Sequence, residues 1–205
     1  MITKKIMIAV LVAAVCIFAG CKSENAATLA ASANAAGTNT KALATITDNY
    51  ATPPGKFLPD KITEDELNAI LRAGVRAPSA RNSQPWHFTV VRDDASLAKG
   101  IMSNITEGNI LIVISGPGDS KTNGSVILDC GLATENIYLA AQALGLGSRI
   151  YTGPVDAINS KYKESLGLPS GYSAVAVVRV GRIESVDAVS AASSRKDSAG
   201  MITYK

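Results

Sequence analysis

Apolar and polar residues alternate in patterns that divide the chain into helices and short strands from about residue 63 onward. A capping box predicts the start of the first helix, because the Thr63 hydroxyl can accept from the Glu66 amide while the Glu66 carboxylate reaches back. β-branched runs predict strands at residues 87–91 and 110–115, with a weaker helix over 97–105 between them. The first helix continues with apolar residues at helical spacing: Leu67, Ile70, Leu71 and Val75.

The longest helical candidate spans residues 126–144 and is apolar on nearly every side. A helix of this kind is buried, either in a core or in a subunit interface. Gly145 and Gly147 end it. Three further elements and a terminal strand give a mixed α and β order without internal repeats: a strand at 149–152, an amphipathic helix at 155–166, a strand at 172–180 and a strand at 201–204.

Residues 1–20 have the pattern of a signal peptide. Two lysines precede an apolar run from Ile6 to Gly20, shorter than the roughly 20 residues of a membrane span. The run closes with small residues before Cys21, and this ending resembles the lipobox of bacterial lipoproteins. The resemblance implies cleavage before Cys21, a diacylglyceryl group on its thiol and an extracytoplasmic, membrane-anchored protein. An ordinary secretory signal is the alternative.

Residues 21–45 are rich in Ala, Asn, Ser and Thr and contain no aromatic residue. No period along this stretch would bury a face, so we expect a flexible tether. Residues 46–205 then form one folded domain of ordinary size.

Composition and charge exclude several classes of site. The chain has 3 cysteines and 1 histidine, which argues against a zinc site or a histidine-based triad, and no metal is expected. Once Lys4 and Lys5 leave with the leader, basic and acidic residues nearly balance, so nothing indicates a nucleic-acid partner. Cys130 is then the only thiol in the domain, and its apolar helix predicts a buried, unreactive side chain.

A loop rich in turn residues connects the capped helix to the first strand. Two prolines stiffen it, and short polar side chains offer hydrogen-bond donors. The residues of the loop and of the strand that follows it are Arg76, Ala77, Pro78, Ser79, Ala80, Arg81, Asn82, Ser83, Gln84, Pro85, Trp86, His87 and Phe88. This sequence closely resembles the flavin-binding loop of the nitroreductase family, and the resemblance extends over about residues 61–205.

The resemblance implies an α+β fold with a central mixed or antiparallel sheet, flanking helices, a buried central helix and a homodimer with FMN between its subunits. Pro78 and residues 79–84 would line the flavin, and a backbone amide near Gly153 would approach its N5. No catalytic side chain is implied, since flavin N5 carries the chemistry. Lys56 is the nearest basic candidate for the charge at N1/O2 of the reduced ring.

Trp86 and His87 alternate along a strand, and for both we expect packing rather than contact with substrate. The residues around them in the loop are the expected binding residues.

The phosphate end of the site departs from the family pattern. Family members bring an Arg-x-Ser element to the FMN phosphate, and the equivalent residues 49–57 contain no arginine. The missing charge-assisted hydrogen bonds are worth about 1.5 to 3 kcal/mol each. Arg195 matches a position in the family's second basic cluster and is the expected phosphate ligand, with a solvated tail arginine as the alternative.

The tail also resembles a flavin attachment site. Asp187, Ser190, Ala192 and Ser193 follow the spacing at which a flavin transferase joins FMN through its phosphate to a hydroxyl, although Ala191 replaces the usual glycine. We hypothesise that Ser193 carries phosphoester-linked FMN.

The function implied is ping-pong transfer of hydride or electrons to a small-molecule acceptor, such as a nitroaromatic, a quinone or a flavin. An extracytoplasmic location disfavours NAD(P)H as donor and favours a membrane quinol or a surface flavoprotein. The alternative is a flavin-free nitroreductase fold that serves as a surface binding or structural lipoprotein, which the missing arginine supports.

Overall fold

The computed structural model describes residues 41–119, 121–189, 195–196 and 198–205. The described residues from Ala42 onward belong to one compact unit. The predicted signal peptide, the lipidation site Cys21 and the attachment site Ser193 lie outside the described residues, as does most of the predicted tether. Residues 41–47 are helical, so the last part of the predicted tether is helical in the structure.

Helices and strands alternate along the described chain. Three short 3-10 turns accompany them, at Pro54–Lys56, Ala80–Asn82 and Ser198–Gly200. The main elements are α1 (Glu64–Val75), β1 (His87–Val91), α2 (Ala95–Ile101), β2 (Ile110–Pro117), α3 (Gly124–Ala143), β3 (Gly147–Tyr151), α4 (Val155–Ala157) and β4 (Tyr172–Gly181).

The strands form one antiparallel sheet of 4 strands in the order β1-β2-β4-β3. The α+β class is therefore confirmed, and of the two sheet types expected the antiparallel one is present. Strand β2 lies at the centre and is buried along nearly its whole length, since Ile112 and Ile114 pack on one face of the sheet and Leu111 and Val113 on the other. The outer strands β1 and β3 are only half-buried.

The register brings the start of β1 and the end of β3 to the same end of the sheet. His87 begins β1 opposite Ser115 of β2, and Tyr151 ends β3 opposite Val177 of β4. Strand β1 points in the same direction as β4, and β2 points in the same direction as β3. The loop before β1 and the turn after β3 therefore both lie at the end of the sheet where β4 begins. The two predicted flavin segments share one end of the sheet.

Helix α3 packs its inner side against the sheet and against α1. A Cβ atom at Gly74 of α1 would lie 2.7 Å from Ile137 Cγ1, so only glycine allows this approach. The outer side of α3 is exposed, with Leu128 63% accessible. The predicted central helix is therefore buried only on the side that faces the sheet and α1. None of the described helices combines the length and the hydropathy that a membrane span requires.

The capped first helix and the strands at β1, β2 and β4 are confirmed, and three other predictions need correction. The expected helix over residues 155–166 is a single α-helical turn followed by a π-helical turn, Ile158–Tyr162. The expected strand at 201–204 is wrong: these residues are irregular, and Ile202 and Tyr204 are exposed. Helix α2 begins earlier than the predicted residues 97–105 because the Asp94 carboxylate accepts from the Leu97 amide, and it also ends earlier, at Ile101.

Candidate functional site

The loop between α1 and β1 contains an unusual backbone conformation. Arg81, Asn82 and Gln84 all adopt positive φ angles, of 54°, 56° and 46°. Non-glycine residues in this region cost on the order of 1 to 3 kcal/mol each, with asparagine among the better tolerated. Such a loop persists only if the surrounding structure holds it.

Asp129 of α3 holds this loop. Its side chain is buried, and its Oδ1 accepts from the Ala80 backbone N–H at 3.0 Å while Oδ2 accepts from the Ser83 hydroxyl at 3.4 Å. Within the loop, the Ser79 hydroxyl oxygen accepts from the Gln84 N–H at 3.0 Å. A buried carboxylate is stable only with such donors, so helix and loop fix each other.

The loop presents its remaining polar groups to solvent. Pro78, Ala80, Arg81 and Asn82 are exposed and Ser79 is half-buried. Within the residues that the structure covers, the side chains of Arg81 and Asn82 make no hydrogen bond to another group. The Gln84 amide donates to the Asn82 carbonyl oxygen at 3.3 Å. The Asn82 amide and the Arg81 guanidinium are therefore accessible to a ligand, on a backbone whose conformation is already fixed.

Gly153 lies in the turn that follows β3. It is exposed, and a Cβ atom at this position would meet no heavy atom within 4 Å. The space above its backbone is open, as a close approach by a flat ligand requires. The topology places this turn at the same end of the sheet as the loop before β1.

Trp86 and His87 pack within the protein, as expected. Trp86 is half-buried against the core, and the His87 ring meets the Tyr172 ring edge to face with centroids 6.4 Å apart. The His87 carbonyl oxygen accepts from the Ser115 hydroxyl at 3.3 Å.

The segment before α1 is docked along the outer strand. Both backbone groups of Tyr50 bond to the Gln142 side chain, at 3.2 and 3.0 Å, and Thr52 exchanges two hydrogen bonds of 3.0 Å with Ser148 of β3. Lys56 follows at the end of the turn Pro54–Lys56 and is exposed, so its cation is accessible.

Arg195 reaches this docked segment. Its Nη2 donates to Asn49 Oδ1 at 3.3 Å, which places the predicted phosphate ligand beside the stretch that lacks the family's arginine. A second arginine, Arg149 of β3, donates from Nη1 to the Thr52 carbonyl oxygen at 3.4 Å.

Sequence reasoning missed Asp129 and Arg149. Asp129 carries a signal, since it is one of only two acids in a largely apolar helix. Arg149 carries none, because an arginine in a short outer strand usually faces solvent.

Cys130 is fully buried beside Asp129, as predicted. Burial, with a smaller contribution from the neighbouring carboxylate, raises the pKa of its thiol to about 11. The thiol is protonated at neutral pH and takes no part in the site.

Comparison with known proteins agrees with this geometry. The model of the nitroreductase family matches residues 56–108 and 95–182. A protein of Archaeoglobus fulgidus, provisionally named an NADH dehydrogenase/NAD(P)H nitroreductase, is 38% identical over 131 residues, which cover 59% of this chain and 74% of that protein. The chain belongs to the nitroreductase family.

Solved structures show the same fold. A provisionally named NADH dehydrogenase/NAD(P)H nitroreductase from Bacteroides thetaiotaomicron is 26% identical with a TM-score of 0.66, covering 80% of this chain and 96% of the other. A nitroreductase of Desulfitobacterium hafniense with bound FMN is 23% identical with a TM-score of 0.65, covering 80% and 98%. The fold and the enzyme class predicted from the loop are confirmed, and the Desulfitobacterium hafniense nitroreductase contains bound FMN.

Proposed function

We propose that this protein is an FMN-dependent oxidoreductase that transfers hydride or electrons to small-molecule acceptors such as nitroaromatics, quinones or flavins. The observation that carries the proposal is the left-handed loop at Arg81, Asn82 and Gln84, which Asp129 anchors at the same end of the sheet as the open turn at Gly153. When bound, FMN supplies a ring that takes up and returns two electrons.

The residues of the site fit this cofactor. The exposed Asn82 amide and the loop backbone provide donors for ribityl and ring oxygens, and the bare backbone at Gly153 permits close approach of a planar ring. Lys56 is an exposed cation that can stabilise negative charge at the N1/O2 side of the ring. The protein's part is to bind, orient and stabilise charge, and no side chain is assigned a proton transfer.

The proposal is tested by the visible spectrum of the purified protein and by its NADH- and quinol-dependent reduction of menadione and nitrofurazone. A flavin spectrum with turnover of either acceptor is expected. A colourless protein that also fails to take up added FMN would overturn the proposal.

We further propose a homodimer. The exposed outer side of α3 carries Leu128 close to Gly131, where a Cβ atom would meet no heavy atom within 4 Å, and a second copy would cover this surface. Leu128→Glu should convert the dimer to a monomer in analytical ultracentrifugation, and the matched change Leu58→Glu at another exposed leucine should not. A wild-type monomer would contradict the dimer.

We also propose that Cys21 is acylated and that the protein works outside the cytoplasm at a membrane surface. The lipobox-like ending of the leader supports this, and electrons then come from a membrane quinol or a surface flavoprotein. Globomycin should cause the uncleaved precursor to accumulate, whereas Cys21→Ala should abolish labelling by radioactive palmitate. A Cys21→Ala protein that is still labelled would contradict the anchor.

Covalent attachment at Ser193 is the last part of the proposal. It rests on the spacing from Asp187 and on the absence of arginine from residues 49–57, since a covalent tether reduces the need for that contact. After co-expression with a flavin transferase, acid-precipitated protein should be yellow and heavier by one FMN less water. Ser193→Ala should remove this mass, and an unchanged mass would contradict attachment there.

The missing arginine also favours a second candidate, a flavin-free surface binding lipoprotein. This candidate predicts no flavin uptake and no reductase activity, so the spectrum separates the two.

A further inference from the structure

A second cleft lies at the other end of the sheet from the candidate flavin site, where β1 ends and β2 begins. One part, with a volume of about 390 Å³, adjoins α2, and the other, of about 190 Å³, adjoins the start of α1. Both parts are lined by Lys61, Arg92, Asp93 and Gly108, so they form one continuous space, which we call the distal cleft. Its size is that of an ordinary small-molecule pocket.

The turn before β2 forms the floor of the distal cleft and is held in one conformation. Gly108 adopts a φ of 77°, and a Cβ atom at this position would overlap the Pro59 carbonyl oxygen, so only glycine allows the turn. Asn109 is 4% exposed, and its Nδ2 donates to the Leu58 carbonyl oxygen at 2.8 Å. The floor is therefore fixed before any ligand arrives.

A buried guanidinium lies directly behind this floor. Arg179 of β4 is fully buried, and it donates to Asn109 Oδ1 at 2.9 Å and to the Thr106 hydroxyl at 2.7 Å, both on residues that line the cleft. Within the residues that the structure describes, it has no carboxylate partner. Burial lowers its pKa, because the charged form loses its hydration. An anion in the adjoining cleft would stabilise this charge.

Two lysines line the distal cleft from different elements. Lys61 belongs to the segment before α1 and Lys99 to α2, and both are exposed. In the described part of the chain, neither forms an ion pair. The third cation of the lining, Arg92, is paired with Glu64 and Asp93. The lysine charges are therefore available to a ligand, whereas the arginine is not.

The rest of the lining defines what kind of anion fits. Glu107 also lines the cleft, and it is an exposed acid with no ion pair to another described residue. The two lysines and the guanidinium behind the floor outweigh this single charge. The lining also has an apolar part, which consists of Ala95, Ala98 and Ile105.

We infer that the distal cleft binds an organic anion with one carboxylate group and an apolar body, at a site separate from the flavin. The carboxylate interacts with Lys61 and Lys99, whose ammonium groups act as single point charges. The apolar body packs against the alanines of α2. The guanidinium groups of Arg92 and Arg179 are already engaged, so the bidentate contacts that favour phosphate are not on offer. This inference does not rest on the proposed function.

The test uses 2-naphthoate as the probe and the uncharged 2-naphthylmethanol as its matched ligand. Isothermal calorimetry on the full-length protein should show naphthoate binding at least about tenfold more tightly than the alcohol. Lys61→Gln and Lys99→Gln should each weaken naphthoate binding about two- to tenfold, and the double variant should weaken it further. Lys161→Gln, at an exposed lysine that does not line the cleft, should behave as wild type.

A steric variant tests the position of the site independently of charge. Ala95 is exposed at the start of α2 and lines the cleft, so Ala95→Trp should fill the space and abolish naphthoate binding. Ser96 is the next residue, is equally exposed and does not line the cleft, so Ser96→Trp is the control and should bind as wild type. Circular dichroism checks that both variants fold. If Ala95→Trp does not fold, the double lysine variant decides.

The outcomes also separate this inference from the proposed function. Naphthoate should bind equally with and without saturating FMN, because the two sites lie at opposite ends of the sheet. Competition by FMN, equal binding of acid and alcohol, tighter binding of 2-naphthyl phosphate than of 2-naphthoate, or no binding at all would overturn the inference. Binding that survives in the double lysine variant would overturn it too. A protein that binds naphthoate at the cleft but no flavin would refute only the proposed function.

Discussion

Asp129 Oδ1 accepts a hydrogen bond of 3.0 Å from the Ala80 backbone N–H, which ties the longest helix to the loop that precedes β1. This one carboxylate also receives the Ser83 hydroxyl, so two loop donors depend on it. The helix therefore fixes the conformation of a loop that lies at the surface.

Replacement of Asp129 by leucine should release the loop. Two donors lose their acceptor, so the free energy of unfolding should fall by about 1 to 3 kcal/mol and FMN should bind more weakly. Urea unfolding and flavin titration measure the two effects. The control is Thr134→Val, which removes only a local helix bond to the Cys130 carbonyl oxygen and should leave flavin affinity intact. Unchanged flavin affinity in Asp129→Leu would refute the anchoring role.

Asn82 allows backbone and side-chain effects to be separated. Its φ of 56° suits glycine, whereas alanine there costs about 1 to 2 kcal/mol. Asn82→Gly should keep the unfolding free energy and lose flavin affinity, while Asn82→Ala should lose both. Thermal unfolding and fluorescence titration distinguish them. If Asn82→Gly binds FMN as the wild type does, the amide is not a ligand.

Gly153→Val should affect ligand binding and leave stability alone. The new side chain meets no heavy atom of the protein at its Cβ position, so the unfolding free energy should change by less than about 0.5 kcal/mol. The same side chain would obstruct a flavin ring, and FMN affinity should fall at least about tenfold. Gly124→Ala, where the added Cβ is equally unhindered, is the control. Full FMN affinity in Gly153→Val would show that the flavin ring does not lie against Gly153.

Glu66 should make stability depend on pH. Although partial burial raises its pKa, hydrogen bonds from the Thr63 backbone and from Arg182 lower it below the ordinary value of 4.5. A lowered carboxyl pKa contributes stability in full above the ordinary value, and this contribution is lost as the pH falls through the lower, folded-state value. Scanning calorimetry from pH 3 to 7 should show this loss, which Glu66→Gln should flatten and the exposed control Glu107→Gln should not. Equal slopes in wild type and Glu66→Gln would contradict the assignment.

The secondary structure could be predicted where a single sequence signal, such as a β-branched run or a capping box, determines it. Runs such as residues 110–115 are β-branched and fully buried, and Thr63 with Glu66 forms the predicted cap in the structure. The helix expected over residues 155–166 could not be predicted in detail, because periodicity does not distinguish an α-helical from a π-helical turn.

The candidate site could be predicted only in part. The flavin loop was visible because its prolines, serines and asparagine stand together in the chain. The contact of Arg149 with the Thr52 carbonyl oxygen depends on the docking of a segment almost a hundred residues earlier in the chain, which hydrogen bonds between Thr52 and Ser148 hold against β3. Contacts of this kind become visible only when the fold is known.

Arg179 keeps its positive charge in the interior without a carboxylate partner among the described residues. Its donors go instead to the Asn109 side chain at 2.9 Å, the Asn104 carbonyl oxygen at 3.3 Å and the Thr106 hydroxyl at 2.7 Å, and its guanidinium lies 4.0 Å from the Phe57 ring. None of these partners takes up a proton in acid. Acidification should therefore weaken the ion pair at the start of α1 first, while the hydrogen bonds that hold the buried Arg179 guanidinium persist.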